Sequence, residues 1–262
     1  MKHINAKLYY SIFLAGFIFL SSCQSTRHST RTTYKVVQAK GYRISMDSTF
    51  DKNPDEKAIN ILQPYKEKVN KQMNEVLGYA EMKMERSRPE ALLSNLVADV
   101  LKNAATKYTG RPADVSLINI GGLRNILPQG NITIGHIFEI LPFDNSLCIV
   151  TLKGSVLKTL FSEIAKAGGE GISGAHLIIT TDGRLEAATV NNKQIDDTKL
   201  YTVSTIDYLA EGNGGMLALT ENEGKICPDG ETLRKLFIDF LKAQTAAGKH
   251  ITAKIEGRII VR

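Results

Sequence analysis

Histidine is scarce: the 262-residue chain has five, His3, His28, His136, His176 and His250. A metal-dependent hydrolase draws several imidazoles and carboxylates to one or two ions. Here no H-E-x-x-H pair or tight carboxylate cluster occurs, and two of the five histidines fall in the N-terminal segment described below. The phosphate-cradling G-x-x-x-x-G-K-[ST] loop is missing, as is the nucleophile elbow G-x-S-x-G. By its own residues the chain is catalytically incomplete. It also lacks an internal repeat or a Pro-rich linker after residue 40, which favours one domain. Its charge of +6, from 33 Lys and Arg against 27 Asp and Glu, makes no basic stripe, so a nucleic-acid polymer is not an expected partner.

Long apolar runs are equally rare. The one present, Leu8 to Leu20 behind Lys2 and Lys7, is too short to span a bilayer and reads as a secretory signal. It ends in Leu20-Ser21-Ser22-Cys23, which resembles the bacterial lipoprotein processing site. Residues 1–22 are therefore expected to be removed and Cys23 lipidated, leaving a weakly basic body held on the periplasmic or cell-surface side by its lipid alone. Residues 23–50, beginning with the polar run QSTRHSTRTT, are expected to form a tether and N-terminal extension, and residues 51–262 the domain. Only Cys148 and Cys227 remain, in a compartment where a disulfide can persist. Cys148 lies mid-run in SLCIVTL like a small core hydrophobe, which favours two unpaired thiols over a bridge.

With 43% hydrophobic residues the chain can bury a real core. Ile59, Leu62, Tyr65, Val69, Met73, Val76 and Ala80 share one helical face and predict a long helix from Glu56 to Ala80. A second helical pattern runs from Leu93 to Ala104 and stops before Gly110 and Pro112, so two helices are expected before the first strand, DVSLINI. Thr133 is the N-cap of a short helix through Ile140. SLCIVTLKG is a strand leading into a helix after Gly154, and AGGEGISG (167–174) a glycine loop. Strands follow, turned at Asp182-Gly183 and Asn191-Asn192. LYTVSTIDYL is a further strand, GETLRKLFIDFLKAQ a helix, and ITAKIEGRIIVR a strand or hairpin. The mixture without a regular βαβ alternation is α+β.

In NIGGLRNILPQGNITIGHIFEILPF (119–143), a strand ending at Asn119, a glycine turn and Arg124 gather amide and guanidinium donors suited to phosphate or ribose oxygens. An ordinary turn with a surface arginine is the commoner meaning of such a stretch, as a core plug is for a lone Phe143. Tyr208 precedes Gly212, Gly214 and Gly215, which free the backbone to approach a ligand. Two rings about 7 Å apart clamp a flat heterocycle, worth roughly 1–3 kcal/mol per base.

Together with GISG, NNKQIDDTKLYTVSTIDYLAEGNGGM and ERSRPEALLSNLVADVL, the stretch resembles the C-terminal, substrate-binding domain of bacterial and animal 5'-nucleotidases, over about residues 55–262. The resemblance implies layered mixed sheets flanked by helices. It also implies that two divalent metals and the catalytic residues belong to a metallophosphoesterase domain, here a separate partner chain, with this chain binding the nucleotide or nucleoside. A non-catalytic nucleoside- or nucleotide-binding lipoprotein is the alternative. By position, Asn119 matches the base-contacting asparagine, Arg124 the arginine near phosphate and ribose, and Phe143 and Tyr208 the two walls of the base sandwich. Gly214 stands where the family has a ribose-binding aspartate, and Asn213, one position earlier, is the substitute. Arg86 or Arg88 matches an upstream phosphate-binding arginine.

Overall fold

The computed structural model describes residues 35–45 and 47–262; the expected signal segment, the lipidation residue Cys23 and the QSTRHSTRTT run lie outside them. Two units are distinguished, Met1–Pro54 and Asp55–Arg262. In the first, the described residues form only a 3-10 turn at Phe50–Lys52.

The second unit opens with α1 (Glu56–Met73), started by the Asp55 carboxylate, which accepts from the Lys57 and Ala58 N–H groups. The expected helix to Ala80 is cut short. Val76–Ala80 is β1, antiparallel to β3 below. Val76 and Ala80 continue the helical spacing, but tertiary pairing overrides it. Two helices therefore do not precede the first strand. In the helix α2 (Leu92–Ala104) eight of thirteen residues are buried, and the short α3 (Thr106–Thr109) ends on left-handed Gly110. Next come β2 (Val115–Ile118), β3 (Gly130–Thr133) and α4 (Ile134–Ile140). Thr133 caps α4 as expected, its hydroxyl accepting from His136 N–H while His136 Nδ1 accepts from Thr133 N–H.

The remaining elements are β4 (Leu147–Lys153), α5 (Gly154–Lys166), β5 (Gly171–Ser173), β6 (Ala175–Ile179), β7 (Leu185–Val190), β8 (Lys193–Gln194), β9 (Leu200–Ile206), α6 (Asp207–Ala210), β10 (Gly224–Ile226), α7 (Leu233–Ala246) and β11 (Ile259–Val261). A five-stranded mixed sheet, in the order β10-β4-β9-β2-β5, forms the centre beside a four-stranded sheet β11-β6-β7-β8 and the β1-β3 pair. With α2 and α5 against the central strands, the unit has the expected α+β architecture of mixed sheets flanked by helices.

Two local expectations need correction and a third is narrowed. Part of the glycine run AGGEGISG, Gly171–Ser173, is strand β5, antiparallel to β2; a Cβ on Gly171 would lie 2.7 Å from Ile118 Cγ2 and 3.0 Å from Ser94 Cβ, so glycine there serves close packing of α2. The C-terminal stretch, expected as a strand or hairpin, is a strand. Its β11 runs parallel to β6, and the segment before it is tied down by Arg258, which donates to Ile172 O at 2.8 Å and pairs with Asp99 and Glu256. Finally, Cys148 and Cys227 form a disulfide. The β10–β4 ladder pairs Ile226 with Ile149, which brings the next residue, Cys227, opposite buried Cys148 with Cα atoms 4.2 Å apart.

The central pairing is reinforced at its start. Asp114, just before β2, accepts from Thr202 N–H (2.8 Å) and Thr202 Oγ1 (3.0 Å) on β9, and pairs with Arg111. Burial pushes its pKa up, but the Arg111 guanidinium and the Thr202 donors outweigh burial and hold it below the ordinary aspartate value. A depressed carboxylate stabilises the fold above its unfolded pKa, and that contribution is lost as pH falls through the folded one. Urea melts should therefore show stability falling with acid over the low carboxylate range, with a shallower dependence in Asp114→Asn. For the disulfide, which spans 79 residues of sequence, Cys227→Ser should lower the unfolding free energy by about 2–5 kcal/mol in the same measurement.

Candidate functional site

Strand polarity gathers the site. β2 and β9 are parallel, Val115 facing Val203 and Ser116 facing Ser204, so their C-terminal ends emerge on one side. Asn119 follows β2 and Tyr208 follows β9. β4 is antiparallel to β9, with Leu147 opposite Ile206, so the residues entering it, Phe143 to Asn145, reach the same edge.

The loop after β2 is a 3-10 turn, Ile120–Gly122, closed by Gly122 N–H on Asn119 O (3.0 Å) and Leu123 N–H on Ile120 O (3.1 Å). Arg124 N–H then donates to Ile140 O at the end of α4 (2.8 Å). These bonds enclose a cleft of about 350 Å³ lined by Asn119, Gly121, Gly122, Arg124, Phe143, Asn145 and Tyr208, within the range of small-molecule sites. Four sequence-predicted residues, Asn119, Arg124, Phe143 and Tyr208, thus share one cleft. Phe143 is 49% and Tyr208 42% exposed, and the aromatic pairs among the described residues, Tyr79–His250 and Phe237–Phe240, involve neither ring. Both side chains are thus partly exposed and unstacked among the described residues. A Cβ at Gly214 (φ 67°) would lie 3.5 Å from Tyr208 Cε1, so the glycine turn backs the tyrosine ring.

Polar capacity is concentrated in two side chains. The Arg124 guanidinium is exposed and, among the described residues, donates only one long bond, to Gly121 O at 3.3 Å. Asn119 Oδ1 is buried without a hydrogen-bond partner, a state that costs about 1–3 kcal/mol until a donor is supplied.

Other expected residues lie elsewhere. Asn213 opens an exposed 3-10 turn, Asn213–Gly215, and does not line the cleft. Arg86 donates to Ile120 O at 3.4 Å from behind the turn, and Arg88 is committed to Gly169 O and Glu170; neither lines the cleft. Two contributors were missed. Asn145 completes the lining, and its place just after the LPF motif was the available signal. Arg234 donates to Leu141 O (2.8 Å) and Pro142 O (2.7 Å) and pairs with Asp144 (2.7 Å), so it pins the Phe143 loop from α7. About ninety residues of sequence separate them.

Among the described residues no group of three or more His, Cys, Asp or Glu side chains is placed to hold a metal ion. His136 is spent on the α4 cap, His176 lies against Gly257 O and His250 against Glu81. The residues present do not fit a dinuclear metal centre.

Comparisons with known proteins bear on the chain's family. The family described as 5'-nucleotidase, C-terminal domain, matches residues 73–221. The trifunctional nucleotide phosphoesterase protein YfkN of Bacillus subtilis is 24% identical over 237 residues, covering 82% of this chain but 16% of that protein. Endonuclease YhcR of the same organism is 30% identical over 193 residues, 70% of this chain and 15% of the relative. In the solved structures, the 5'-nucleotidase precursor from Thermus thermophilus superposes with a TM-score of 0.67 at 27% identity, over 78% of this chain and 43% of that one. The chain thus spans less than half the length of these relatives. With the family match covering more than half of its residues, the chain belongs to the 5'-nucleotidase C-terminal domain family.

Proposed function

We propose that this chain is the nucleotide-recognition component of a split 5'-nucleotidase. The observation that carries the reading is the convergence of Asn119, Arg124, Phe143 and Tyr208 on one cleft. The two rings would take the faces of a base, the Asn119 amide its polar edge, and the Arg124 guanidinium the ribose or phosphate oxygens, which suit its planar donors. Asn145 adds a second amide to the same wall. Because the glycine turn brings no carboxylate into the cleft, recognition of the ribose hydroxyls rests on these amides or on Asn213 after a movement of its turn.

The chain's own residues would bind and orient; the phosphate ester would be broken on a separate metallophosphoesterase chain that brings its two divalent metals. Holding a nucleotide in a reactive orientation contributes to rate without chemistry on the binding chain. Lipidation at Cys23 would keep the assembly at a membrane's outer side, with residues 23–50 as tether and 51–262 as the recognition domain.

Calorimetric titration with AMP tests the binding half. The wild-type chain should bind, and Phe143→Ala or Tyr208→Ala should each weaken binding by about 1–3 kcal/mol, roughly 5- to 150-fold. Unchanged affinity in both variants would refute the sandwich. For the catalytic half, the chain should release no phosphate from AMP alone but should stimulate release by a metallophosphoesterase from the same organism. Chelator-sensitive phosphate release by the isolated chain would contradict the division of labour.

A further inference from the structure

One buried acid is unaccounted for by ligand binding. Glu170 is 4% exposed. Its Oε1 pairs with Arg88, and its Oε2 accepts the Ile120 N–H at 2.5 Å. Arg88 also donates from Nε to Gly169 O at 2.8 Å. The two segments approach so closely that a Cβ on Gly169 (φ 106°) would stand 2.6 Å from Pro89 O. Residues 88–89 and 169–170 therefore form one buckle behind the cleft, far apart in sequence and joined through a carboxylate. Burial raises the Glu170 pKa above the ordinary value, while the Ile120 N–H and Arg88 oppose that rise.

What the buckle grips is the residue after Asn119. The Asn119 side chain has no partner for Oδ1 and lies across Gly122, where a Cβ would be 3.1 Å away. With no protein donor on that oxygen, the amide's aim depends on the backbone that carries it. That backbone is held at the Ile120 N–H by Glu170. Oδ1 is buried in this structure, so the amide would turn about its Cβ–Cγ bond to present acceptor and donor side by side, the match for the N6 donor and N7 acceptor of a 6-aminopurine.

We propose that Glu170, clamped by Arg88, is a positioning residue that holds the Ile120 N–H and so aims the Asn119 amide at the 6-amino edge of a purine. The inference rests on the nucleoside-binding reading above and assigns Arg88 a role apart from phosphate.

Adenosine and purine riboside differ only in the 6-amino group, and neither carries a phosphate through which Arg88 could act. Both are titrated calorimetrically into the whole wild-type protein, Glu170→Gln and Arg88→Gln, with circular dichroism as the check on folding. Wild type should prefer adenosine by roughly tenfold, the worth of one good hydrogen bond. Glutamine at 170 sets an N–H₂ against one of the two donors, so the preference should shrink to about threefold or less while purine riboside binding changes little. Arg88→Gln should shrink it likewise and decides the matter if the Glu170 variant does not fold. A purely structural role would weaken both ligands equally and keep the preference, which overturns the proposal. So does a wild-type protein that binds the two ligands equally. Failure of wild type to bind adenosine at all instead overturns the nucleoside reading, and this inference with it.

Discussion

The parallel pairing of β2 with β9 is the constraint on which the site depends. Parallel strands end on the same side, and the Asp114–Thr202 bonds lock these two at their start. Asn119 and Tyr208 then have no freedom to be far apart. The long antiparallel match of β4 to β9, from Leu147–Ile206 to Lys153–Leu200, adds Phe143 and Asn145 to the same edge. Three connections of different length thereby deliver side chains to one cleft, each leaving or entering a rigid strand. A site built this way is positioned by backbone ladders and does not require its own side chains to hold one another.

Support comes from behind. Arg234 fastens the Phe143 loop through two carbonyls and Asp144, and Glu170 fastens the Asn119 turn through one N–H. Both use charge-assisted bonds, stronger than neutral ones, and neither residue lines the cleft. Rings, amides and a guanidinium line the cleft, while the charges of Arg234 and Glu170 are directed into the scaffold. The chain itself spans less than half the length of these matched relatives.

What could be read in the sequence was what the chain encodes locally. Thr133 as a cap, Gly110 as a stop and the Asn191-Asn192 turn, both residues at positive φ, follow from adjacent residues. The motif from Asn119 to Phe143 was legible because one strand, one turn and one short helix lie in a row. Where the outcome hung on a distant partner, periodicity misled. Val76 and Ala80 continue the helical spacing of α1, yet β3 draws them into a strand. The Cys148–Cys227 bridge needed the β10–β4 register, and the glycines at 169 and 171 were read as a loop because the neighbours they make room for, Pro89, Ser94 and Ile118, are remote in sequence. Glu170 and Arg234 escaped for the same reason: each acts on a backbone atom 50 or more residues away.

The central claim is that the strand ends of β2, β4 and β9 form one nucleoside site. Backbone amide chemical shifts of the ¹⁵N-labelled protein, followed during titration with adenosine, test it most directly. The account predicts saturable shifts concentrated at Asn119, Gly121, Gly122, Arg124, Asn145 and Tyr208, with the β6–β7 strands unmoved. Shifts absent from this edge, or clustered on another face, would contradict it.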